Sequence, residues 1–114
     1  MSRKSFFTQV YALVALIPAG KIMTYGQIAQ ILGGAYSAKL VGFAMSSAPD
    51  GAELPCRRVV NRLGEMAPGF IFGGEDRQRG LLVAEGAPFL PDGRVDVNLA
   101  RFEPNLKQLA KITQ

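Results

Sequence analysis

Cys56 is the residue whose type and neighbours most directly suggest chemistry, because it is the one thiol of the chain and two arginines follow it. The reactive form of cysteine is the thiolate, and adjacent guanidinium groups such as those of Arg57 and Arg58 lower a thiol pKa. The 114 residues include no histidine, which excludes imidazole-assisted nucleophiles and ordinary zinc sites. No metal and no cofactor are therefore expected. Two interpretations of Cys56 stay open: a thiolate stabilised by arginine, and an inert, half-buried side chain that packs as a small hydrophobe.

The positive charge of the chain is concentrated in its first part. The sequence carries 13 basic and 9 acidic residues, a net charge of +4. All of that excess lies in residues 1–66, since residues 67–114 hold equal numbers of each sign. A basic surface on one part of a domain is typical of nucleic-acid binding, although it also serves ordinary solubility.

Two short helices joined by a turn are predicted in the basic part of the chain. Thr24 and Gln27 form a capping box at the start of the first helix, which should run to about Leu32 and close at Gly33-Gly34. Ser37 caps the second helix. A pair of this kind is a helix-turn-helix candidate.

The outer face of the second helix is predicted to carry small side chains. These are Ser37, Ala38, Gly42 and Ser46, with Lys39 as the one charge near the start of the helix. A helix with its side chains is about 10–12 Å across and the minor groove of B-DNA only about 6 Å wide, so a helix that enters this groove must lack bulk. Small residues meet that requirement, but they equally allow close packing on a neighbouring helix. Readout of the major groove would instead favour Arg, Asn or Gln on this face.

The remaining pattern completes a mainly α, winged-helix-like domain with a small β-hairpin. The other predicted elements are a first helix over 6–17 capped by Ser5, a buried strand at Val59-Val60, a turn from Asn61 to Gly64, a helix over 75–85, a hairpin at Asp92-Gly93 and an amphipathic tail over 105–111. The loop over 67–74 contains Phe70, Ile71 and Phe72. Two interpretations of these side chains stay open: they form a wall for a flat ligand, or they pack into the core. No apolar run reaches the roughly 18 residues of a membrane span, and one cytoplasmic domain over 1–114 is expected.

The order of several short motifs resembles one protein family. The motifs are Ile17-Pro18-Ala19-Gly20-Lys21, Thr24-Tyr25-Gly26-Gln27-Ile28-Ala29, Val41-Gly42-Phe43-Ala44-Met45, Pro55-Cys56-Arg57-Arg58-Val59-Val60 and Ala84-Glu85-Gly86. Together they resemble the DNA-binding domain of the O6-alkylguanine-DNA alkyltransferases and of their catalytically silent relatives, the alkyltransferase-like proteins. The α/β N-terminal domain of full-length alkyltransferases has no counterpart in these residues, so the short alkyltransferase-like architecture is expected.

The resemblance implies binding in the minor groove of duplex DNA, followed by rotation of an O6-alkylguanine into a pocket. By analogy with the family, Tyr25 crowds the target phosphate and Lys39, where the family has Arg, fills the gap left in the base stack. Both side chains are expected to be largely exposed. The complete DNA-binding set is Tyr25, Ser37, Ala38, Lys39, Gly42 and Arg58. The lesion pocket is assigned to Tyr25, Cys56, Val59, Phe70, Ile71 and Phe72, with the backbone carbonyls of Cys56 and Val59 as acceptors for the guanine amino group.

Two departures from the family pattern bear on catalysis. The residue after the cysteine is normally a His that, with a Glu and a water, deprotonates the thiol, and here it is Arg57. Arginine cannot accept a proton. An Asn that braces the active-site turn corresponds to Ala48. The candidate catalytic set Cys56, Arg57 and Glu85 is therefore expected to transfer an alkyl group slowly or not at all.

Three functions are compatible with these features. The first is a monomeric damage sensor that marks O6-alkylguanine in duplex DNA for proteins of another repair pathway. The second is a stoichiometric methyltransferase that takes the alkyl group onto Cys56. The third is a helix-turn-helix regulator without preference for the lesion. No membrane partner is expected for any of them.

Overall fold

The computed structural model describes residues 5–33, 37–48, 53–67 and 73–113. Its elements in chain order are α1 Phe6–Val14, β1 Met23–Thr24, α2 Tyr25–Ile31, α3 Ala38–Ser46, a 3₁₀ turn Cys56–Arg58, β2 Val59–Val60, α4 Glu75–Ala84, α5 Val97–Ala100 and α6 Leu106–Thr113. The chain is thus mainly helical, as the sequence predicts. Within the described ranges no helix is long and apolar enough to cross a membrane. The predicted pocket residues Phe70, Ile71 and Phe72 lie outside the described residues.

Helix α1 begins where the sequence predicts and ends earlier. The Ser5 side chain accepts a hydrogen bond from the backbone amide of Thr8 at 3.1 Å and caps the helix. The α-helix ends at Val14 instead of Ile17, because the amide of Ile17 donates to the Val14 carbonyl in a tighter, three-residue turn. Pro18 accounts for this change, since it has no N–H to donate to the Val14 carbonyl and its ring would clash with that carbonyl in a continued α-helix.

Helices α2 and α3 form the predicted helix-turn-helix. The amide of Gln27 donates to Oγ1 of Thr24 at 3.0 Å, and the Gln27 side chain accepts from the amide of Thr24, which completes the capping box. Ser37 caps α3 by accepting from the amide of Leu40. The pair rests on α1, whose Tyr11 hydroxyl donates to the Ala44 carbonyl of α3 at 2.8 Å.

The strand β2 pairs with a partner that sequence reasoning missed. Strands β1 and β2 run parallel, with Met23 opposite Val59 and Thr24 opposite Val60. All four residues are buried. The pairing brings the 3₁₀ turn that carries Cys56 beside the start of α2, because β1 leads directly into that helix.

The last part of the chain braces the sheet and the loop after it. The predicted hairpin is present as an antiparallel bridge between Phe89 and Val95, and the amide of Val95 donates to the Gly64 carbonyl at 2.9 Å. Gly64 has a φ of +82°, and a β-carbon there would collide with the Val95 carbonyl. Only glycine fits this close approach without strain. The short helix α5, which the sequence did not predict, begins after Asp96, whose carboxylate accepts from the amide of Leu99.

Candidate nucleic-acid interface and thiol site

A cavity of about 500 Å³ opens between the helix-turn-helix and the loop that follows β2. Its described lining is mostly apolar and comes from three segments. The lining residues are Tyr25, Gly26, Ala38, Lys39, Gly42, Met45, Asn61, Arg62, Glu65, Met66 and Ala67. Of the sequence-predicted residues, the cavity brings together Tyr25, Ala38, Lys39 and Gly42. It is within the roughly 300–1,000 Å³ range of small-ligand sites.

Tyr25 forms one wall of this cavity and is less exposed than the sequence suggested. The ring of Tyr25 packs beside Gly42 of α3, where an added β-carbon would lie 4.0 Å from ring atoms Cδ1 and Cε1, an ordinary van der Waals distance. The ring is half-buried, and the expectation of a largely exposed Tyr25 is wrong. Burial, with a smaller contribution from a nearby Cys56 charge, raises the pKa of Tyr25 to about 12. Its hydroxyl is therefore protonated at neutral pH and available as a donor.

Helix α3 lines the cavity with two of its predicted small residues, together with a methionine and the exposed Lys39. Ala38, Gly42 and Met45 line the cavity, and Lys39 is exposed at its edge as predicted. The Ser37 hydroxyl is used in the helix cap and does not line the cavity. One turn after Lys39, Phe43 is 65% exposed, which sequence reasoning missed. The i, i+4 spacing from Lys39 was the available signal, because it places both side chains on one face.

The two arginines after Cys56 converge on one carboxylate. Oε1 of Glu85 accepts from Nε of Arg58 at 2.9 Å, and Oε2 accepts from Nη2 of Arg58 at 2.7 Å and from Nε of Arg57 at 2.8 Å. Arg58 also donates to the Ile17 carbonyl at 2.7 Å. Hydrogen bonding from Arg58, assisted by Arg57 and opposed by burial, holds the pKa of Glu85 below its usual range. Internal partners thus occupy Arg58, and the contact of its guanidinium with DNA stays a prediction.

The surroundings of Cys56 do not favour the thiolate. The side chain is half-buried against the core that α1, α2 and α3 share. Burial is the largest influence and raises the pKa of Cys56, although the charge of Arg57 opposes it. Arg57 thus acts on the thiol in the direction that the sequence predicts, but burial outweighs it in the net pKa shift of Cys56. The guanidinium of Arg57 is shared with Glu85, and the desolvation of the sulfur outweighs what charge effect remains.

A buried glutamine, which sequence reasoning missed, ties the thiol turn to the cavity wall. Gln78 of α4 is fully buried, and its Nε2 donates to the carbonyls of Arg57 at 3.1 Å and Val59 at 3.2 Å. Its Oε1 accepts from the amide of Ala67 at 2.8 Å. The Val59 side chain is fully buried, and neither it nor Cys56 contributes to the described lining of the cavity. No sequence signal marks Gln78, because glutamine is ordinary on an exposed helix face.

The loop after β2 is shaped by Asn61, which the sequence identified only as the start of a turn. Its Oδ1 accepts from the amides of Leu63 at 3.0 Å and Glu65 at 2.9 Å, and its Nδ2 donates to the Glu65 carboxylate. These bonds close a turn that contains Arg62, which lies on the cavity wall and is exposed to solvent. Among the described residues, no group of three or more His, Cys, Asp or Glu side chains is arranged to hold a metal.

A helix-turn-helix beside a ligand-sized cavity, joined through a parallel strand pair to a Pro-Cys turn, defines a DNA-binding domain of the alkyltransferase class. The chain belongs to this family, since the family model of the 6-O-methylguanine DNA methyltransferase DNA-binding domain matches residues 5–87. The resemblance inferred from the sequence motifs is thereby confirmed.

Over most of its length the chain is similar to a base-flipping protein and to an alkyltransferase-like protein. It is 38% identical over 100 residues to the DNA base-flipping protein of Escherichia coli K12, a match that covers 86% of this chain and 74% of that protein. It is 40% identical over 104 residues to alkyltransferase-like protein 1 of Schizosaccharomyces pombe, covering 90% and 96%. A crystal structure of the S. pombe protein in complex with damaged DNA containing O6-carboxymethylguanine matches with a TM-score of 0.73 and 32% identity, over 91% of this chain and all of that one.

Proposed function

We propose that this protein is a DNA repair protein that binds duplex DNA through the minor groove and captures a rotated-out O6-alkylguanine in the cavity beside α3. The observation that carries the proposal is the cavity itself, which is bounded by the Tyr25 ring, the small residues of α3 and the loop after β2. A purine is flat and largely apolar on its faces, and enzymes that extrude bases hold them in pockets of this kind.

The position of Lys39 supports extrusion of a nucleotide in particular. The side chain is exposed at the start of α3, on the edge of the cavity. A cation there lies between the volume that would receive the base and the solvent face where a duplex would lie. Lysine fills a gap but lacks the planar fork of arginine that stacks on bases, so the plug it forms is expected to be weaker.

Capture without repair is the form of the function that the thiol site favours. Alkyl transfer would join the Cys56 sulfur to the alkyl carbon, break the bond to O6 and leave the guanine to take up a proton. That attack requires the thiolate, and burial raises the pKa of Cys56. Glu85 accepts from both arginines and has no histidine through which to withdraw the proton. The thiol site therefore favours a sensor of the lesion, and we extend the proposal to a monomer that hands the lesion to proteins of another repair pathway.

A paired binding and mass experiment tests the proposal. Affinity is measured for matched duplexes with and without O6-methylguanine at several salt concentrations, and the intact protein mass is followed on the lesion duplex. Selective binding at unchanged mass supports the sensor. Rapid gain of one methyl group, abolished in Cys56→Ala, makes the protein a methyltransferase. Equal affinity for both duplexes refutes lesion capture and supports the helix-turn-helix regulator.

A further inference from the structure

A second cleft, of about 330 Å³, carries positive charge outside the helix-turn-helix. Three arginines line it, Arg62, Arg94 and Arg101, against one carboxylate, that of Asp96. Arg62 also lines the 500 Å³ cavity, so the cleft and the cavity share a wall. An arginine cleft next to a base pocket is not explained by the capture of the base itself.

The arginines differ in how far internal contacts occupy them. Arg94 donates to the Asp92 carboxylate at 2.7 Å and to the Leu63 carbonyl at 3.2 Å, which fixes its guanidinium in place. Arg62 and Arg101 are exposed, and neither forms an ion pair with a residue that the structure describes. The Asp96 carboxylate accepts from the start of α5 and is partly committed there.

The backbone that carries these side chains is held firmly. The amide of Arg101 donates to the Val97 carbonyl, and Arg101 forms a parallel bridge with Ile22, next to β1. Arg62 sits in the turn that Asn61 closes. A fixed backbone reduces the ordering cost of binding, which favours a recurrent ligand over incidental surface charge.

We propose that this cleft binds backbone phosphate of the DNA strand that carries the rotated-out nucleotide, an inference that rests on the proposed function. Guanidinium groups match phosphate oxygens with two parallel hydrogen bonds, which makes arginine the preferred residue for such contacts. Arg62 borders both the cavity and the cleft. A DNA strand whose base enters the cavity would therefore continue past Arg62 toward the cleft. An acidic protein segment is the competing occupant, and DNA is favoured because the cleft opens beside the pocket for a DNA base.

The test compares Arg62→Gln and Arg101→Gln with Lys107→Gln, which removes the same charge from an exposed position on α6. Binding of short duplexes, with and without O6-methylguanine, is measured by fluorescence anisotropy across salt concentrations. Removing the side chain that neutralises one phosphate should reduce the slope of log affinity against log salt by about 0.9. Arg101→Gln should therefore flatten the slope and weaken both duplexes several-fold by the same factor, whereas Lys107→Gln should leave the slope unchanged.

Single methylphosphonate substitutions on either side of the lesion locate the phosphate that the cleft binds. At one position the methylphosphonate should weaken binding by the wild type. The same methylphosphonate should not weaken binding by Arg101→Gln any further, because that variant already lacks the phosphate contact. Unchanged slopes and affinities for both arginine variants, in proteins with wild-type melting temperature, overturn the proposal and point to the acidic segment. The outcomes are separable from those of the proposed function: an absent lesion preference refutes base capture, whereas an unaffected slope refutes only the phosphate cleft.

Discussion

Arg57→His is the substitution that most directly tests the proposal that Cys56 is unreactive because it lacks a proton acceptor. In the wild type, Oε2 of Glu85 accepts from Nε of Arg57 at 2.8 Å and from Nη2 of Arg58 at 2.7 Å. Histidine at position 57 removes the first donor and introduces a group that accepts a proton. Arg58 retains both of its bonds to Glu85, so the loss of the half-buried Arg57 pair should cost only about 1 kcal/mol of folding free energy.

The expected gain in the rate of methyl transfer follows from two effects. An ordinary thiol is a few per cent thiolate at neutral pH, and burial takes Cys56 below that fraction. A positioned general base is typically worth about 10²- to 10⁴-fold. Loss of the Arg57 charge works against this, because that charge lowers the pKa of Cys56. Arg57→His should therefore methylate at least about tenfold faster than the wild type.

The assay follows intact mass against time on a duplex containing O6-methylguanine, with Cys56→Ala and the double variant Arg57→His/Cys56→Ala as controls. A gain of one methyl group by Arg57→His alone supports the account. Rapid methylation of the wild type would refute it. If neither the wild type nor Arg57→His reacts while both bind the lesion, histidine at position 57 is insufficient. The double variant Arg57→His/Ala48→Asn then tests whether the Asn that the family has at position 48 is also required.

Three further predictions concern stability and the pocket. Gln78→Met conserves side-chain volume but removes the hydrogen-bond partner of three backbone groups. Chemical denaturation should therefore show that the free energy of unfolding falls by roughly 3 to 5 kcal/mol. A fall below about 1 kcal/mol would contradict the bracing role of Gln78. Lys39→Ala removes an exposed side chain and Tyr25→Phe keeps the half-buried ring, so each should change stability by only about 0.5 kcal/mol yet weaken lesion binding several-fold. A large drop in melting temperature with unchanged lesion affinity would contradict this prediction. The pKa of Glu85 is lower in the folded protein than in the unfolded chain, so the ionised carboxylate stabilises the fold above the unfolded pKa. This stabilisation is lost as the pH falls through the folded pKa. Between pH 5 and pH 3 the free energy of unfolding should therefore drop less in Glu85→Gln than in the wild type.

The local elements of the fold could be predicted because their signals are local. Caps at Ser5, Thr24 and Ser37 are formed by side chains that bond amides three residues away, and the structure confirms each of them. The strand β1 was missed for the complementary reason. Its two residues have no periodicity of their own, and they are extended because Val59 and Val60 lie beside them, 36 residues further along the chain.

For the candidate site, too, features set by local sequence could be predicted and features set by distant residues could not. The small residues of α3 were visible from spacing, but their surroundings were not, since the Tyr25 ring that packs beside Gly42 belongs to another helix. The charge of Arg57 was visible too, yet its effect on Cys56 depended on two quantities absent from the sequence: the burial of the sulfur and the position of Glu85. Sequence motifs therefore located the site, whereas the sign of the pKa shift at the thiol required the fold.

The pairing of Glu85 with two arginines also bears on how Cys56 can persist in the proposed sensor, which would not use it for alkyl transfer. In this arrangement Arg57 satisfies a carboxylate that is largely buried, and an uncompensated charge at such a position is costly. The half-buried thiol fills space in the shared core without requiring a partner. Replacing Arg57 alone leaves Glu85 paired with Arg58, so it should cost little stability while it opens a proton path, whereas replacing Glu85 removes the carboxylate partner of both arginines. We therefore predict that a histidine at position 57 is what converts the sensor into a methyltransferase. The double variant Arg57→His/Glu85→Gln should not gain methyl transfer, because the histidine then lacks its carboxylate partner.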